Sequence, residues 1–172
     1  DWPGCYGSAS PIGAVAHIDA AEAAMPTGPV THSKAWIEMI HRYLATAVGF
    51  LILVLAISST WQRWKGQYSF NGAWQVKPFW AWVTLFWVCM QGAFGALTVT
   101  MKLFPAIVTL HLLGGIGLLV LLSAQVAWKP ESQRQAIAPF HRQLIWIAAV
   151  LLTLQIALGA WVSTNYAVLA CD

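Results

Sequence analysis

The fold class this sequence predicts is an all-α, polytopic membrane protein, and three observations predict it. Of 172 residues, 59% are hydrophobic and only 9% are charged, whereas soluble domains carry about 25% charged residues. Four stretches are long and apolar enough to cross a bilayer, which takes about 20 residues in a helix. The loops between them alternate in charge, as loops that orient membrane helices do. The same composition excludes intrinsic disorder, which is poor in apolar residues and rich in charge. A net charge of +3, from nine Lys/Arg against six Asp/Glu, is too small and scattered for a nucleic-acid surface, so no nucleic-acid partner is expected. Three cysteines do not make a disulfide scaffold.

The elements follow in order. A leading segment, 1–35, contains an Ala-rich stretch, Ala14–Met25, which reads as a short surface helix. The spans run from Trp36 to Ser59, Pro78 to Thr100, Pro105 to Trp128 and Gln143 to Tyr166. The loop 60–77 carries Arg63, Lys65 and Lys77 and no acid, and the linker 129–142 carries Lys129, Arg134 and Arg142 against Glu131. The leading segment sets Asp1, Asp19 and Glu22 against Lys34. The positive-inside rule therefore makes 60–77 and 129–142 cytoplasmic, and 1–35, 101–104 and 167–172 extracytoplasmic. Tryptophans agree as interfacial belts: Trp61, Trp64, Trp74, Trp80, Trp82, Trp128 and Trp146 inside, Trp36 and Trp161 outside. Trp87 and Cys89 are mid-span and read as packing residues. The chain opens on Asp-Trp-Pro with no basic leader, so it reads as a segment of a longer protein.

One pattern occurs twice. Gln91-Gly-Ala-Phe-Gly-Ala96 and Gln155-Ile-Ala-Leu-Gly-Ala160 share Q-x-A-x-G-A near the outer ends of the second and fourth spans. Small residues four apart are common helix contacts in membranes, and contact is their simplest reading.

Five histidines divide by position. His17, His32 and His141 read as solvated loop histidines. His41 and His111 sit inside spans, where an ionisable residue is costly and points to function. At 1.5 Å per residue, His41 is roughly 7–8 Å below Trp36 and His111 about 9 Å below Pro105, so both lie at one height in the outer leaflet. Ala45 and Gly49 lie on the face of His41, and Gly114 and Gly115 beside His111. Such small residues leave a slot for a porphyrin, whose iron takes two axial imidazoles. Zinc wants three or four ligands. The bland reading is two unrelated histidines, each bonded to neighbouring backbone or hydroxyl groups. Glu38 lies one turn before His41, and Arg42 four residues after Glu38. They form an interfacial ion pair, or Glu38 enters the haem pocket and Arg42 reaches a propionate.

Three motifs together carry a resemblance: Glu38-x-x-His41-Arg42; the run from Gly95 through Pro105 to His111-Leu112; and the run from Gln155 through Trp161 to Cys171. The chain resembles the haem A synthase family over essentially its whole length. The resemblance implies an eight-span protein of two four-helix bundles that oxidises a methyl group of haem O to the formyl group of haem A for cytochrome c oxidase. It places 36–128 in the N-terminal, substrate-haem half and 143–172 at the start of the C-terminal half, so the chain holds the second to fifth spans. On that resemblance His41 and His111 are the axial iron ligands and Glu38 the catalytic group; Arg42, Gly49, Gly114 and Gly115, read above from their spacing and chemistry, complete the expected haem site. Cys5 and Cys171 match cysteines proposed to form disulfides, with partners outside the chain. Haem O or haem A is the substrate or product here, and haem b the cofactor of the other half, so the segment alone is expected to be inactive. The resemblance also implies an inner-membrane location, a lipid bilayer around the spans, an enzyme that donates haem O, an electron donor, and room for oligomerisation. The competing reading is a bis-histidine haem b cytochrome that only transfers electrons.

Overall fold

The computed structural model describes residues 4–26, 28, 30–66, 76–127 and 136–165. Among these residues it is all-helical, with a 3-10 turn at Pro11–Ala14 and five α-helices: α1 (Val15–Ala24), α2 (His32–Trp64), α3 (Pro78–Thr100), α4 (Pro105–Ala127) and α5 (Pro139–Thr164). The last four are long and apolar enough to cross a membrane. Their starts follow from local chemistry. The Thr31 hydroxyl accepts from the Lys34 backbone N–H at 3.4 Å and caps α2. Proline opens α3, α4 and α5, where its missing N–H would have had no helical partner.

The first two expected spans fall inside these helices; the third and fourth match α4 and α5 as far as Ala127 and Thr164, and their expected last residues, Trp128 and Tyr166, lie outside the described residues. α3 has the expected bounds, but α2 runs beyond its apolar stretch at both ends, so Thr60–Trp64 are helical rather than loop. α5 likewise takes in Pro139–Arg142, which places His141 on a helix beside Phe140, not in a loop. His32 similarly stands as the first residue of α2. A hydrophobic stretch marks the part of a helix inside the bilayer, and the hydrogen-bond ladder continues past it into the interface.

The α3–α4 connection is a helix C-cap in full. Leu103 N–H donates to Thr98 O at 2.8 Å and Lys102 N–H to Val99 O at 3.1 Å, the two bonds of a Schellman motif. Lys102 and Leu103 are both left-handed, at φ 51° and 62°.

The helices pack in sequence, α2 on α3, α3 on α4 and α4 on α5, and α2 has no direct backbone contact with α4 among the described residues. The row is open, with a groove between α2 and α4 over α3. Buried contacts are few: Met39, Ile52, Ala56 and Ser59 on α2, Ala81 and Thr84 on α3, and Thr109 on α4. Polar groups tie the end of the bundle near the α2 C-terminus, where Gln125 donates to the Thr84 hydroxyl at 2.6 Å and the Trp82 indole to Thr60 at 2.9 Å. α5 buries no residue at all. Leu151, Leu152 and Ile147 are all more than half exposed, which is the surface of a helix covered by lipid or by further helices. Cys89 is exposed on α3, not packed as the sequence suggested.

The leading segment folds onto the N-terminal end of α2. The Ala-rich stretch forms the expected surface helix as α1, docked through the fully buried Ile18. His32 anchors it, with its Nε2 2.6 Å from Asp19 Oδ1 and its backbone N–H donating to Glu22. Ahead of it, Cys5 and Ser8 exchange backbone bonds of 2.8 and 2.9 Å around Tyr6 and Gly7, both at positive φ. This is the tight hairpin geometry that two left-handed residues permit. The Tyr43 hydroxyl donates to Ala9 O at 2.6 Å and fastens the hairpin to α2.

Candidate functional site

His41 lies about two and a half turns into α2, and His111 under two turns into α4. Although α2 starts further out, the two rings meet across the groove. Their centroids are 6.4 Å apart and their planes 78° apart. A metal with an imidazole nitrogen about 2 Å away on each side, and each ring centre roughly 1 Å behind its nitrogen, sets the centres about 6 Å apart. Neither ring forms a hydrogen bond with another described residue, and His111 Nδ1 is buried without a partner. The rings are therefore not a pair of histidines satisfied by neighbouring backbone or hydroxyls.

The donor set narrows what fits between them. Among the described residues no group of three or more His, Cys, Asp or Glu side chains could hold a metal ion, so the ligand set of a protein-only zinc site is missing. Two imidazoles at this separation would hold an iron whose remaining ligands come from a macrocycle, as in a bis-histidine haem. The residues present fit that group.

α3 forms the floor of the groove. Gln91 Nε2 donates to His111 O at 2.8 Å. A Cβ built on Gly114 would lie 2.6 Å from Gln91 Oε1, and one on Gly115 would lie 3.3 Å from Nε2. These two glycines thus admit the Gln91 carboxamide, so the space expected beside His111 is filled on that side by a protein side chain. The Trp87 indole donates to Gly114 O at 2.9 Å and its ring rests on Gly117, confirming Trp87 as a packing residue. Gly49 borders open space, with no atom within 4 Å of a Cβ placed there. The sequence reading missed Gln91 as an individual. The available signal was a carboxamide inside a span, one turn from Gly95.

Glu38 is exposed near the N-terminal end of α2 and accepts from Arg42 Nη2 at 2.5 Å, the i,i+4 pair. Arg42 also donates through Nη1 to Gly4 O at 3.4 Å. Glu38 thus lines a cleft with Gly4, Cys5, Tyr6, Lys34 and Met39. Cys5 is a half-buried free thiol; Cys171 lies outside the described residues. His17 stacks on Tyr6 and His32 holds Asp19, so neither joins the pair of the groove.

Comparison with known proteins identifies the family. A family model described as "Cytochrome oxidase assembly protein" matches residues 1–172. The chain is 35% identical over 178 residues to a protein of Shewanella oneidensis named "Heme A synthase", an alignment covering 99% of this chain and 49% of that protein. The chain thus spans about half the length of that relative. No solved structure matches.

Proposed function

The chain belongs to the haem A synthase family of cytochrome oxidase assembly proteins, and from that membership we propose that it is the part of a haem A synthase that binds the substrate haem. The observation that carries this reading is the meeting of His41 and His111 across the groove, with ring centres 6.4 Å apart. Haem O lies between α2 and α4 with its iron held by the two imidazoles. Gly49 leaves room on the α2 side, and Arg42, already beside Glu38, offers a guanidinium suited to a propionate.

The reaction hydroxylates one methyl group twice, giving a gem-diol that loses water to leave the aldehyde. Each hydroxylation takes one oxygen atom from dioxygen or water and gives up two electrons of the carbon to an oxidant outside this segment, and Glu38, a carboxylate one turn from His41, is suited to move the accompanying protons. A haem b bound in the remaining half of the protein would supply the route for electrons. That half, built as a second four-helix bundle beginning with α5, makes the eight-span whole, and the segment by itself does not turn over. The protein sits in the inner membrane, with the α2 N-terminus and the α3–α4 turn outside and the basic loops in the cytoplasm. It meets an enzyme that delivers haem O and an electron donor.

The test uses the full-length protein. Extracted pigments, identified by mass, should include haem O or A. His41→Ala and His111→Ala should each lose these while keeping haem B. Haem B alone in the unmutated protein would replace the synthase by an electron-transfer cytochrome, and an unchanged pigment set in both histidine variants would end the reading. Glu38→Ala should bind haem O in normal amount but form less than about a tenth of the haem A, the loss expected for a proton-transfer group. Unchanged haem A yield would remove Glu38 from the chemistry.

A further inference from the structure

We propose that Gln91 and Gly95 of α3 are positioning residues that fix the height and ring plane of His111. The inference rests on the proposed haem site and adds residues to it.

A metal-bound histidine is ordinarily oriented by a hydrogen bond from its second ring nitrogen to a carboxylate, carbonyl or water. His111 has no such bond among the described residues, because its Nδ1 is buried and unpartnered. Its ring must be held by other means, and α3 supplies two. Gln91 acts on the backbone, where its Nε2 donates at 2.8 Å to the carbonyl of His111 itself. The carboxamide is in turn seated against Gly114 and Gly115, so it cannot shift without moving α4. Gly95, one turn further along the same face of α3, acts on the ring. A Cβ there would lie 3.2 Å from His111 Cε1, with Nε2 and Nδ1 at 3.8 and 3.9 Å. The ring thus rests on the bare backbone of α3, and any larger residue pushes it. His41, by contrast, is exposed and has no hydrogen bond of this kind, so His111 is the fixed member of the pair.

The experiment compares variants of the full-length protein at equal haem content, reading the low-spin signal of the substrate-site haem by absorption and electron paramagnetic resonance. Gln91→Met keeps the length of the side chain and removes the donor. Gly95→Ala adds one methyl against the ring. Gly92→Ala adds the same methyl where nothing lies within 4 Å and serves as the control. Both Gln91→Met and Gly95→Ala should shift the low-spin signal or convert more than about half of it to high spin, while Gly92→Ala leaves it unchanged. Should Gly95→Ala fail to fold, Gln91→Met decides alone. A wild-type signal in the folded variants overturns the positioning role. A wild-type signal in His111→Ala instead overturns the haem site on which it rests, so the two failures are told apart.

Discussion

Arg42 and Tyr43 illustrate how single side chains hold the leading segment against α2. Tyr43→Phe removes the hydroxyl that donates to Ala9 O and should cost about 1 kcal/mol, the usual net value of one hydrogen bond. Thermal unfolding of the detergent-solubilised protein would register this, and proteolysis within residues 4–14 should quicken in parallel. An unchanged midpoint and cleavage rate would mean that Tyr43 does not fasten the hairpin. Arg42→Ala removes the guanidinium's bonds to Glu38 and to Gly4 O; water screens the pair with the half-exposed Glu38, so the loss should show as faster proteolysis of residues 4–14 with little change in the unfolding midpoint of the helices. At this scale the sequence was legible where a residue broke a rule. His41 and His111 stood out because an imidazole in a bilayer needs a reason. Gln91 did not stand out, since its contacts depend on how α3 is rotated against α4. Both helices are apolar nearly all round, so their periodicity does not fix that rotation.

At the level of helices, the connection after α3 and the glycines of α4 carry the energetics. Lys102 occupies the left-handed position that glycine favours. Lys102→Gly should therefore stabilise the α3–α4 pair by about 1 kcal/mol, seen as a higher unfolding temperature; a lower one would show that the lysine side chain makes a compensating contact. Gly114→Ala should do the opposite, costing roughly 1–3 kcal/mol as its methyl meets Gln91. Gly49→Ala meets nothing within 4 Å and should gain up to about 1 kcal/mol of helix propensity, whereas Gly49→Leu should lower haem content by filling the slot. Equal haem content in Gly49→Leu would take Gly49 out of the site. The helices themselves were readable from apolar runs and opening prolines. Their ends were less so, because the helix of α2 is held beyond the membrane by the Thr31 cap and by the docking of α1, neither of which hydropathy records.

For the whole molecule, the testable matter is orientation. In a background free of cysteine, Lys65→Cys after α2 and Met101→Cys after α3 should react with a membrane-impermeant maleimide from opposite sides. Labelling from one side alone would refute the assigned topology. The open row of helices could not be read from the sequence, because the four spans look alike in composition and nothing in them says which pairs touch. The lack of any buried residue on α5 emerged only from the structure, and it fits a helix that belongs to a second bundle. The tight cap from Thr98 to Leu103 has a last consequence, for how such a protein can diversify. Each residue of a helix turns the chain by about 100°, so one amino acid inserted between Met101 and Phe104 swings the whole face of α4 that carries His111 away from α2. That corner works as a phase lock, open to substitution but closed to any change of length, and insertions there should abolish the haem O or A of this site while haem B stays and neighbouring point variants keep both.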